Sequence, residues 1–281
     1  PGRGTLMADA LRATRLVPGF QAAARVMLVE PNPVLADLQR ATLRRAPLSP
    51  LWCSDLSEVP AGDATILIAN EVLDCFPVFQ LEHADDGWRE RGVCLDAAGA
   101  LQFCRLPEIA PLAPPAPAGA GVGAVFEHRD WRELGQALRH RHDQGPLAAL
   151  LVDYGHAGPA LGDTLQAVRG HAYEHALTSP GEADLTAQVD FAGFAHQVTA
   201  WGLACDGPIT QAELLGGLGI AERGSRLMAA NPRQAALIEA SIARLMAPGG
   251  MGTRFKAIAL RSPALPPLAG FPAMDNERLR P

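Results

Sequence analysis

Polar side chains end several apolar runs of this sequence, and they are the residues best placed to do chemistry. The runs "RVMLVE", "ATILIAN" and "AALLVDYG" finish in or just before acids, an amide or a phenol. The polar residues at these ends are Glu30, Asn70, Glu71, Asp74, Asp153 and Tyr154. Ligands of open α/β sheets bind beyond the carboxyl ends of the strands, so these side chains are candidates for a binding site.

The stretch "PGRGTL" at residues 1–6 has the spacing of a ligand-binding glycine loop that opens a helix. Gly2 and Gly4 fit the tail of a G-x-G-x-G loop, whereas a dinucleotide fingerprint would place its third glycine at Thr5. Glycine lets the backbone approach a ligand, and a helix N-terminus offers free N–H groups. Glu30 ends the next strand, where an acid can accept both hydroxyls of a ribose. This order predicts a nucleoside site; a surface turn and a solvated glutamate are the alternative.

The motif "NEVLDCFP" brings two carboxylates and an amide to the end of the next predicted strand. Glu71 and Asp74 are three residues apart, so they share one side if a helical turn begins there. The structural alternative is that Asp74 caps a local turn and Asn70 makes a strand-end hydrogen bond.

Residues 162–191 are rich in side chains that could hold a metal, but their spacing argues against a metal site. His171 and His175 are four residues apart, yet the sequence has no HExxH motif and no third ligand at a diagnostic spacing. Residues 184–186 are expected to cap a following helix. The sequence also lacks a GxSxG motif and a Cys–His pairing typical of hydrolases.

The elements that must position these residues alternate between helical and strand-like patterns. The predicted elements are helices at 4–16 and 33–46, strands at 25–30, 64–70, 148–155 and 254–260, and a short strand with a helix within 201–224. Such alternation predicts βαβ units and a mainly parallel sheet. Residues 106–123, rich in Pro, Ala and Gly, are expected to form a loop. Residues 155–195 carry many turn signals and are expected to form an insertion rather than sheet.

Composition excludes several classes of protein. The chain has 281 residues, 48% of them apolar, and a formal net charge of −6, which disfavours a nucleic-acid binder. Its five cysteines form no CxxC pair, which indicates reduced thiols. No apolar run reaches the ~18 residues of a membrane span.

Together these motifs resemble those of the MidA-like methyltransferases, whose mitochondrial members (NDUFAF7) assist the assembly of respiratory complex I. The stretches that carry the resemblance are "PGRGTL", "LVEPNP", "NEVLDCFP", "WRER", "DYGH", "GDTLQAVRGH" and "PGEADLTAQVDF". They extend from residue 1 to about residue 191, and the block 162–191 is the longest and most specific.

The resemblance implies an α/β class I methyltransferase fold that uses S-adenosylmethionine (SAM). It assigns Gly2, Gly4, Glu30, Asn70 and, less directly, Asp55 to the cofactor. It assigns Asn70, Glu71 and Asp74 to catalysis. We further expect Asp153, Tyr154 and His171 to bind the methyl acceptor. It implies a SAM-binding core at 1–154, an acceptor region at 155–200, the rest of the core at 201–262 and a tail at 263–281.

Some positions depart from the family pattern. Cys75 and Phe76 replace the usual Ala-Leu, and Asn32 replaces the common Ser. The strand, acid and first glycine that precede "PGRG" in the family are absent. We expect this chain to be a truncated part of a longer protein and to lack the first strand of the fold. We therefore expect low stability and weak SAM binding.

The resemblance implies methylation of an arginine in a protein acceptor, because mitochondrial members dimethylate an arginine of a complex I subunit. Carboxylates such as Glu71 and Asp74 can hold a guanidinium in a planar fork and orient one nitrogen. A SAM-binding assembly factor with little catalysis, a small-molecule methyltransferase and a nicotinamide oxidoreductase are the alternatives. The expected location is the cytoplasm of a bacterium, or the mitochondrial matrix for eukaryotic relatives.

Overall fold

A computed structural model describes residues 1–60, 62–109, 119–158, 160–170 and 172–272. The chain divides into two compact units. Unit 1 comprises Pro1–Ala64 with Asp143–Gly145, and unit 2 comprises Thr65–His142 with Pro146–Pro281. The domain boundaries expected at 154/155 and 200/201 fall inside unit 2, and they stay predictions.

Unit 1 holds the glycine turn and the first predicted helices and strands. Its described elements are α1 (Thr5–Ala13), α2 (Phe20–Ala23), β1 (Met27–Val29), α3 (Pro33–Leu43) and β2 (Leu51–Cys53). β1 and β2 pair in parallel, with Met27 opposite Leu51. The helices predicted at 4–16 and 33–46 and the strand predicted at 25–30 are therefore confirmed.

Local sequence explains where α3 begins. The side chain of Asn32 accepts hydrogen bonds from the N–H groups of Val34 and Leu35, and proline occupies the first helical position. Both features favour a helix start, because the cap satisfies free N–H groups and proline has none to satisfy. Asn32, noted above as a departure from the family pattern, thus fills the capping role of a serine.

The remaining elements follow in chain order. The strands are β3 (Thr65–Asn70), β4 (Val78–Ala84), β5 (Gly87–Leu95), β6 (Leu101–Ile109), β7 (Val125–Arg129), β8 (Leu147–His156), β9 (Gln166–Arg169), β10 (Ala172–Glu174), β11 (Asp184–Thr186), β12 (Val189–Asp190), β13 (Ala204–Thr210) and β14 (Phe255–Arg261). The helices are α4 (Arg132–Gln144), α5 (Phe191–Ala200), α6 (Gln211–Gly217), α7 (Ile220–Ala230), α8 (Ala235–Met246) and α9 (Met251–Arg254).

The central sheet of unit 2 is built around β8, whose Leu147, Ala149 and Leu151 are buried. β3 and β12 run parallel to β8, whereas β14 runs antiparallel to β8, and β13 runs antiparallel to β14. The α/β class and the strands predicted at 64–70, 148–155 and 254–260 are confirmed, but the sheet is mixed rather than mainly parallel. The short strand and helix expected within 201–224 are β13 and α6.

A second sheet consists of four antiparallel strands in the order β6-β5-β4-β7, and it was not predicted from the sequence. Its strands mix charged and apolar residues and lack the long apolar run that marks a buried parallel strand. β6 extends to Ile109, so the loop expected at 106–123 is wrong for residues 106–109. Residues 110–118 of that loop lie outside the described part of the chain.

The segment expected to be an insertion without sheet contains a small antiparallel sheet in the order β10-β9-β11, and β12 joins the central sheet. Residues 184–186 form β11 and do not cap a helix, which corrects the prediction. Asp190 is the cap instead, since its side chain accepts the N–H groups of Ala192 and Gly193 at the start of α5. Very short strands with turns on both sides leave too little periodicity to be recognised.

Within unit 2, β3 pairs with β8 on one side, and Ile66 and Ile68 of β3 are 69% and 49% exposed. The absence of a first strand stays a prediction. Over the residues that the structure describes, no helix combines the length and apolar character needed to traverse a bilayer.

Gly155 of the "DYGH" motif is expected to tolerate no side chain. A Cβ at this position would lie 2.1 Å from the carbonyl oxygen of Val189, where β12 pairs with β8. Because backbone atoms cannot rotate away, Gly155→Ala should lower the free energy of unfolding by about 2–4 kcal/mol. Urea unfolding measures the change. Gly158→Ala is the control, since its Cβ would meet nothing within 4 Å; equal stability of the two variants would contradict the prediction.

Candidate functional site

The glycine turn of unit 1 lies against α3. Gly2 and Gly4 have φ angles of 58° and 81°, in the left-handed region where side chains are disfavoured. Gly4 precedes α1 directly, and a Cβ on it would lie 3.5 Å from Gln39 and Leu43 of α3. That distance is an ordinary van der Waals contact, so the turn uses glycine for its left-handed conformation rather than for its approach to α3.

Gln39, which the sequence analysis missed, connects three parts of the predicted cofactor site. Its side chain is completely buried. Nε2 donates to the carbonyl of Gly2 at 2.8 Å and to Oε2 of Glu30 at 2.9 Å. The indole N–H of Trp52 donates to Oε1 at 2.9 Å. All of its hydrogen-bonding capacity as a donor is thus used to fix Glu30 and the turn.

A groove of about 260 Å³ opens beside Glu30 in unit 1. The residues that line it include Glu30, Ala36, Arg40, Trp52 and Ser54. The other carboxylate oxygen of Glu30 accepts the N–H of Asn32 at 3.0 Å. Each oxygen keeps a lone pair, because a carboxylate has about four acceptor positions. The groove therefore has acceptors for a ribose diol and an aromatic wall beside them, which fits a nucleoside.

Asp55, expected less directly on the adenine side, makes a local contact. Its side chain accepts the N–H of Ser57 at 2.7 Å and caps a 3₁₀ turn at Leu56–Glu58. This hydrogen bonding to Ser57 lowers the pKa of Asp55 below its ordinary value. Its neighbours Ser54 and Glu58 line the groove. A cofactor role for Asp55 stays a prediction.

In unit 2, β3 ends in an unusual turn at Asn70 and Glu71. Glu71 has φ of 53° and is, in the described part of the chain, the one non-glycine residue at positive φ. Its N–H donates to the carbonyl of Val152 on β8 at 2.8 Å, and its side chain accepts from the amide of Asn70 at 3.1 Å. Non-glycine residues whose backbone is held in this sparsely populated conformation cluster at functional sites.

Asp74 lies in a different arrangement from the one expected. The 3₁₀ turn here runs from Leu73 to Cys75, so Glu71 and Asp74 do not share one helical turn. The hydroxyl of Tyr154 donates to Oδ2 of Asp74. The Tyr154 and Thr186 hydroxyls are 2.6 Å apart. Because Tyr154 has one proton and gives it to Asp74, the hydroxyl of Thr186 is the donor in the second bond.

The buried carboxylate of Asp153 accepts hydrogen bonds from the backbone of the turn at Leu73–Cys75 and of Tyr154. One oxygen accepts the N–H of Asp74 at 3.1 Å, and the other accepts the N–H of Tyr154 at 2.9 Å. Burial, and then the charge of Asp74, raise the pKa of Asp153 to about 6. Burial and the bond to Asp74 raise the pKa of Tyr154, so its hydroxyl stays protonated and remains a donor. The structure thus brings together Asp74, Asp153 and Tyr154.

Arg129 ties this site to the segment that follows β11. Its guanidinium donates to the carbonyls of Ala187 and Gln188, both at 2.7 Å, and to that of Phe76 at 3.2 Å. The side chain is buried, which lowers its pKa, while the charges of Glu127, Asp74 and Asp153 oppose this effect. A buried cation with these partners holds the turn after β3 and the strand end after β11 at a fixed separation.

The "GDTLQ" and "WRER" motifs meet on the four-stranded sheet. The carboxylate of Glu127, on β7, accepts from both the N–H and the hydroxyl of Thr164 and from the side chain of Gln80. Arg91 of "WRER" donates to Asp163 at 2.5 Å. These charge-assisted bonds fix the chain before β9, so the motifs position the small sheet.

Of the two histidines considered as metal ligands, His171 and His175, only His175 lies in the described part of the chain. His171, expected to contact the acceptor, lies outside the described residues. His175 accepts the N–H of Leu177 through Nδ1 at 3.3 Å and packs against Phe103. Among the residues with a described position, no group of three or more His, Cys, Asp or Glu side chains could hold a metal ion.

Comparisons with known proteins give matches over most of the chain. The sequence profile of a family described as S-adenosyl-L-methionine-dependent methyltransferases matches residues 1–209. The mitochondrial protein arginine methyltransferase NDUFAF7 of Xenopus tropicalis is 32% identical, with 96% of this chain and 70% of that protein covered. The mouse protein of the same name is 33% identical, with coverages of 92% and 65%. The chain thus spans about two thirds of these relatives.

Two solved structures of proteins from Burkholderia thailandensis are similar to the structure of this chain. One, bound to S-adenosyl-homocysteine, has a TM-score of 0.83 and 25% identity, covering 95% of this chain and 71% of that one. The other has a TM-score of 0.80 and 26% identity, covering 92% and 71%. The family and the cofactor that the sequence motifs implied are confirmed.

Replacement of Gln39 should weaken SAM binding. Gln39→Leu has a similar size but removes the bonds to Glu30 and to the Gly2 carbonyl. Because hydrogen bonds to charged groups contribute about 1.5–3 kcal/mol, the Kd for SAM should rise about tenfold or more. Calorimetry measures it, with Thr42→Ala on the exposed side of the same helix as the control. An unchanged Kd in a folded Gln39→Leu protein would contradict the role assigned to Gln39.

Asp153 should make stability depend on pH. Its pKa is about 6 in the folded protein against 3.8 as the ordinary value, so ionisation opposes folding above pH 6. That penalty is relieved as pH falls from 6 towards 4, by at most about 3 kcal/mol for a shift of this size. Between pH 7.5 and pH 5, urea unfolding should show about 1.4 kcal/mol of this gain in the wild type and none in Asp153→Asn. The exposed Asp37→Asn variant should behave like the wild type; equal pH slopes in all three would refute the assignment.

Proposed function

Because the chain belongs to the family of S-adenosyl-L-methionine-dependent methyltransferases, we propose that it transfers a methyl group to an arginine side chain of a protein acceptor. The carboxylate cluster of Asp74 and Asp153 at the ends of two strands supports this acceptor best. The named relatives are protein arginine methyltransferases. A subunit of respiratory complex I is the acceptor that the family resemblance suggests.

Unit 1 provides the cofactor-binding residues of this proposal. SAM, when bound, supplies an activated methyl group, so the protein has to bind and orient rather than create the reactive group. Glu30 accepts the two ribose hydroxyls with the carboxylate that Gln39 holds in place. Gly2 and Gly4 keep the backbone of the turn free of side chains beside the cofactor.

Unit 2 provides the residues that bind the acceptor. A guanidinium is always charged at ordinary pH and presents donors in a planar fork. Asp74 and Glu71 accept these donors, while Tyr154 fixes Oδ2 of Asp74 and Asp153 fixes its backbone. The carboxylates thereby orient one nitrogen of the arginine and stabilise positive charge on it, and such preorganised groups are commonly the largest contribution to catalysis.

Amide substitutions should separate acceptor binding from cofactor binding. Asp74→Asn and Glu71→Gln each retain the shape of the side chain but remove its charge, so methyl transfer should fall about 100-fold. The rate is measured as the transfer of the tritiated methyl group of SAM to arginine-containing peptides. Calorimetry should show SAM binding unchanged, and Glu239→Gln on α8 should retain full activity.

Undiminished transfer by both amide variants would contradict the assigned roles. A wild-type protein that binds SAM but methylates no peptide or complex I subunit would favour the alternative of a SAM-binding assembly factor. Methylation of a small molecule alone would refute the protein acceptor.

A further inference from the structure

We propose that one face of the small sheet β10-β9-β11 is a second acceptor subsite, which binds a basic side chain close in sequence to the target arginine. We call it the subsite face; its residues are Gln166, Val168, Tyr173, Asp184 and Thr186. The inference rests on the proposed function for the identity of the target arginine.

The strand register places these residues on one face. Tyr173 of β10 and Asp184 of β11 both lie directly opposite Val168 of β9. Thr186 of β11 lies opposite Gln166 of β9, two residues further along each strand. Because side chains two residues apart in a strand point to the same side, Asp184 and Thr186 share the face with Tyr173.

The subsite face continues from the carboxylates that are proposed to hold the target arginine. The hydroxyl of Thr186 lies 2.6 Å from that of Tyr154, which in turn donates to Asp74. Asp184 is also near this point, since its charge is one of those that raise the pKa of Cys75, after burial and Asp74. An acceptor chain bound at Asp74 therefore has the subsite face beside it.

The charge of the subsite face is negative. Arg169 is the one cation in the sequence of the three strands. It lies on the opposite face with Ala167, where it pairs with Glu174 at 3.2 Å and Glu182 at 3.8 Å. The described structure contains no salt bridge to Asp184, and Tyr173 is 75% exposed. A free carboxylate beside an exposed aromatic ring is complementary to lysine or arginine, through ion pairing and cation–π contact.

The distance between Asp184 and Thr186 along β11 determines which residue of the acceptor peptide reaches the subsite face. Asp184 and Thr186 are two residues apart, which corresponds to about 7 Å along a strand. An extended peptide advances by a similar distance over two residues. A side chain two positions from the target arginine therefore reaches Asp184 while the target stays near Asp74.

Binding of two labelled peptides tests the subsite without requiring methyl transfer. The probes are fluorescein-labelled Gly-Gly-Arg-Gly-Arg-Gly-Gly and Gly-Gly-Arg-Gly-Gln-Gly-Gly, measured by fluorescence anisotropy with the full chain in saturating S-adenosyl-homocysteine. The wild type should bind the two-arginine peptide about three- to tenfold more tightly at low salt, and the preference should decrease at 0.5 M NaCl.

Asp184→Asn should reduce this preference to about one, and Tyr173→Ala should reduce it in part. Glu182→Gln removes the same charge from the opposite face and should keep the preference. Equal affinity of the wild type for the two peptides, or an equal loss in Asp184→Asn and Glu182→Gln, would overturn the subsite. Methyl transfer measured on the same peptides reports separately on the proposed function, because the binding preference does not depend on turnover.

Discussion

The buried carboxylate of Asp153 is the constraint on which the proposed acceptor site depends. It lies at the end of β8, completely buried, and uses both oxygens to hold the backbone of neighbouring segments, at Asp74 and at Tyr154. A charge in this position is unfavourable unless its hydrogen bonds are complete. The same bonds that compensate for burial therefore determine where Asp74 and the Tyr154 hydroxyl lie. The groups proposed to bind the acceptor are thus positioned by a carboxylate that itself faces the interior.

The sequence was sufficient to predict the elements whose own pattern carries the information. β3, β8 and β14 are apolar runs, and α1 and α3 have helical spacing, so each could be predicted without its neighbours. The polar residues at the strand ends could also be identified, because the carboxyl ends of such strands have a known role. Glu30 beside the glycine turn, and the cluster of Asp74, Asp153 and Tyr154, follow from this rule and from the family motifs.

The residues that were missed have roles that only tertiary contacts define. Gln39 lies in the middle of a helix, where a glutamine is typical of an exposed surface, yet it is completely buried by Glu30, Gly2 and Trp52. Arg129 ends an unpredicted strand, and its partners are backbone carbonyls more than fifty residues away in sequence. The four-stranded sheet has strands of mixed charged and apolar residues, and the strands of the three-stranded sheet are short. Both sheets depend on pairing between strands, which leaves little signal in either strand alone.

The contact between Gly155 and Val189 has a consequence for how this family can diversify. The chain leaves the central sheet at the end of β8 and returns to it beside the same residue, with backbone touching backbone. The two ends of the intervening segment therefore coincide in space whatever its length. Loop-closure cost rises only slowly with length, so the turns between the anchored residues of this segment can change in length while the sheet keeps its geometry. Under the proposed function, acceptor preference can in this way change without any change in the residues of unit 1.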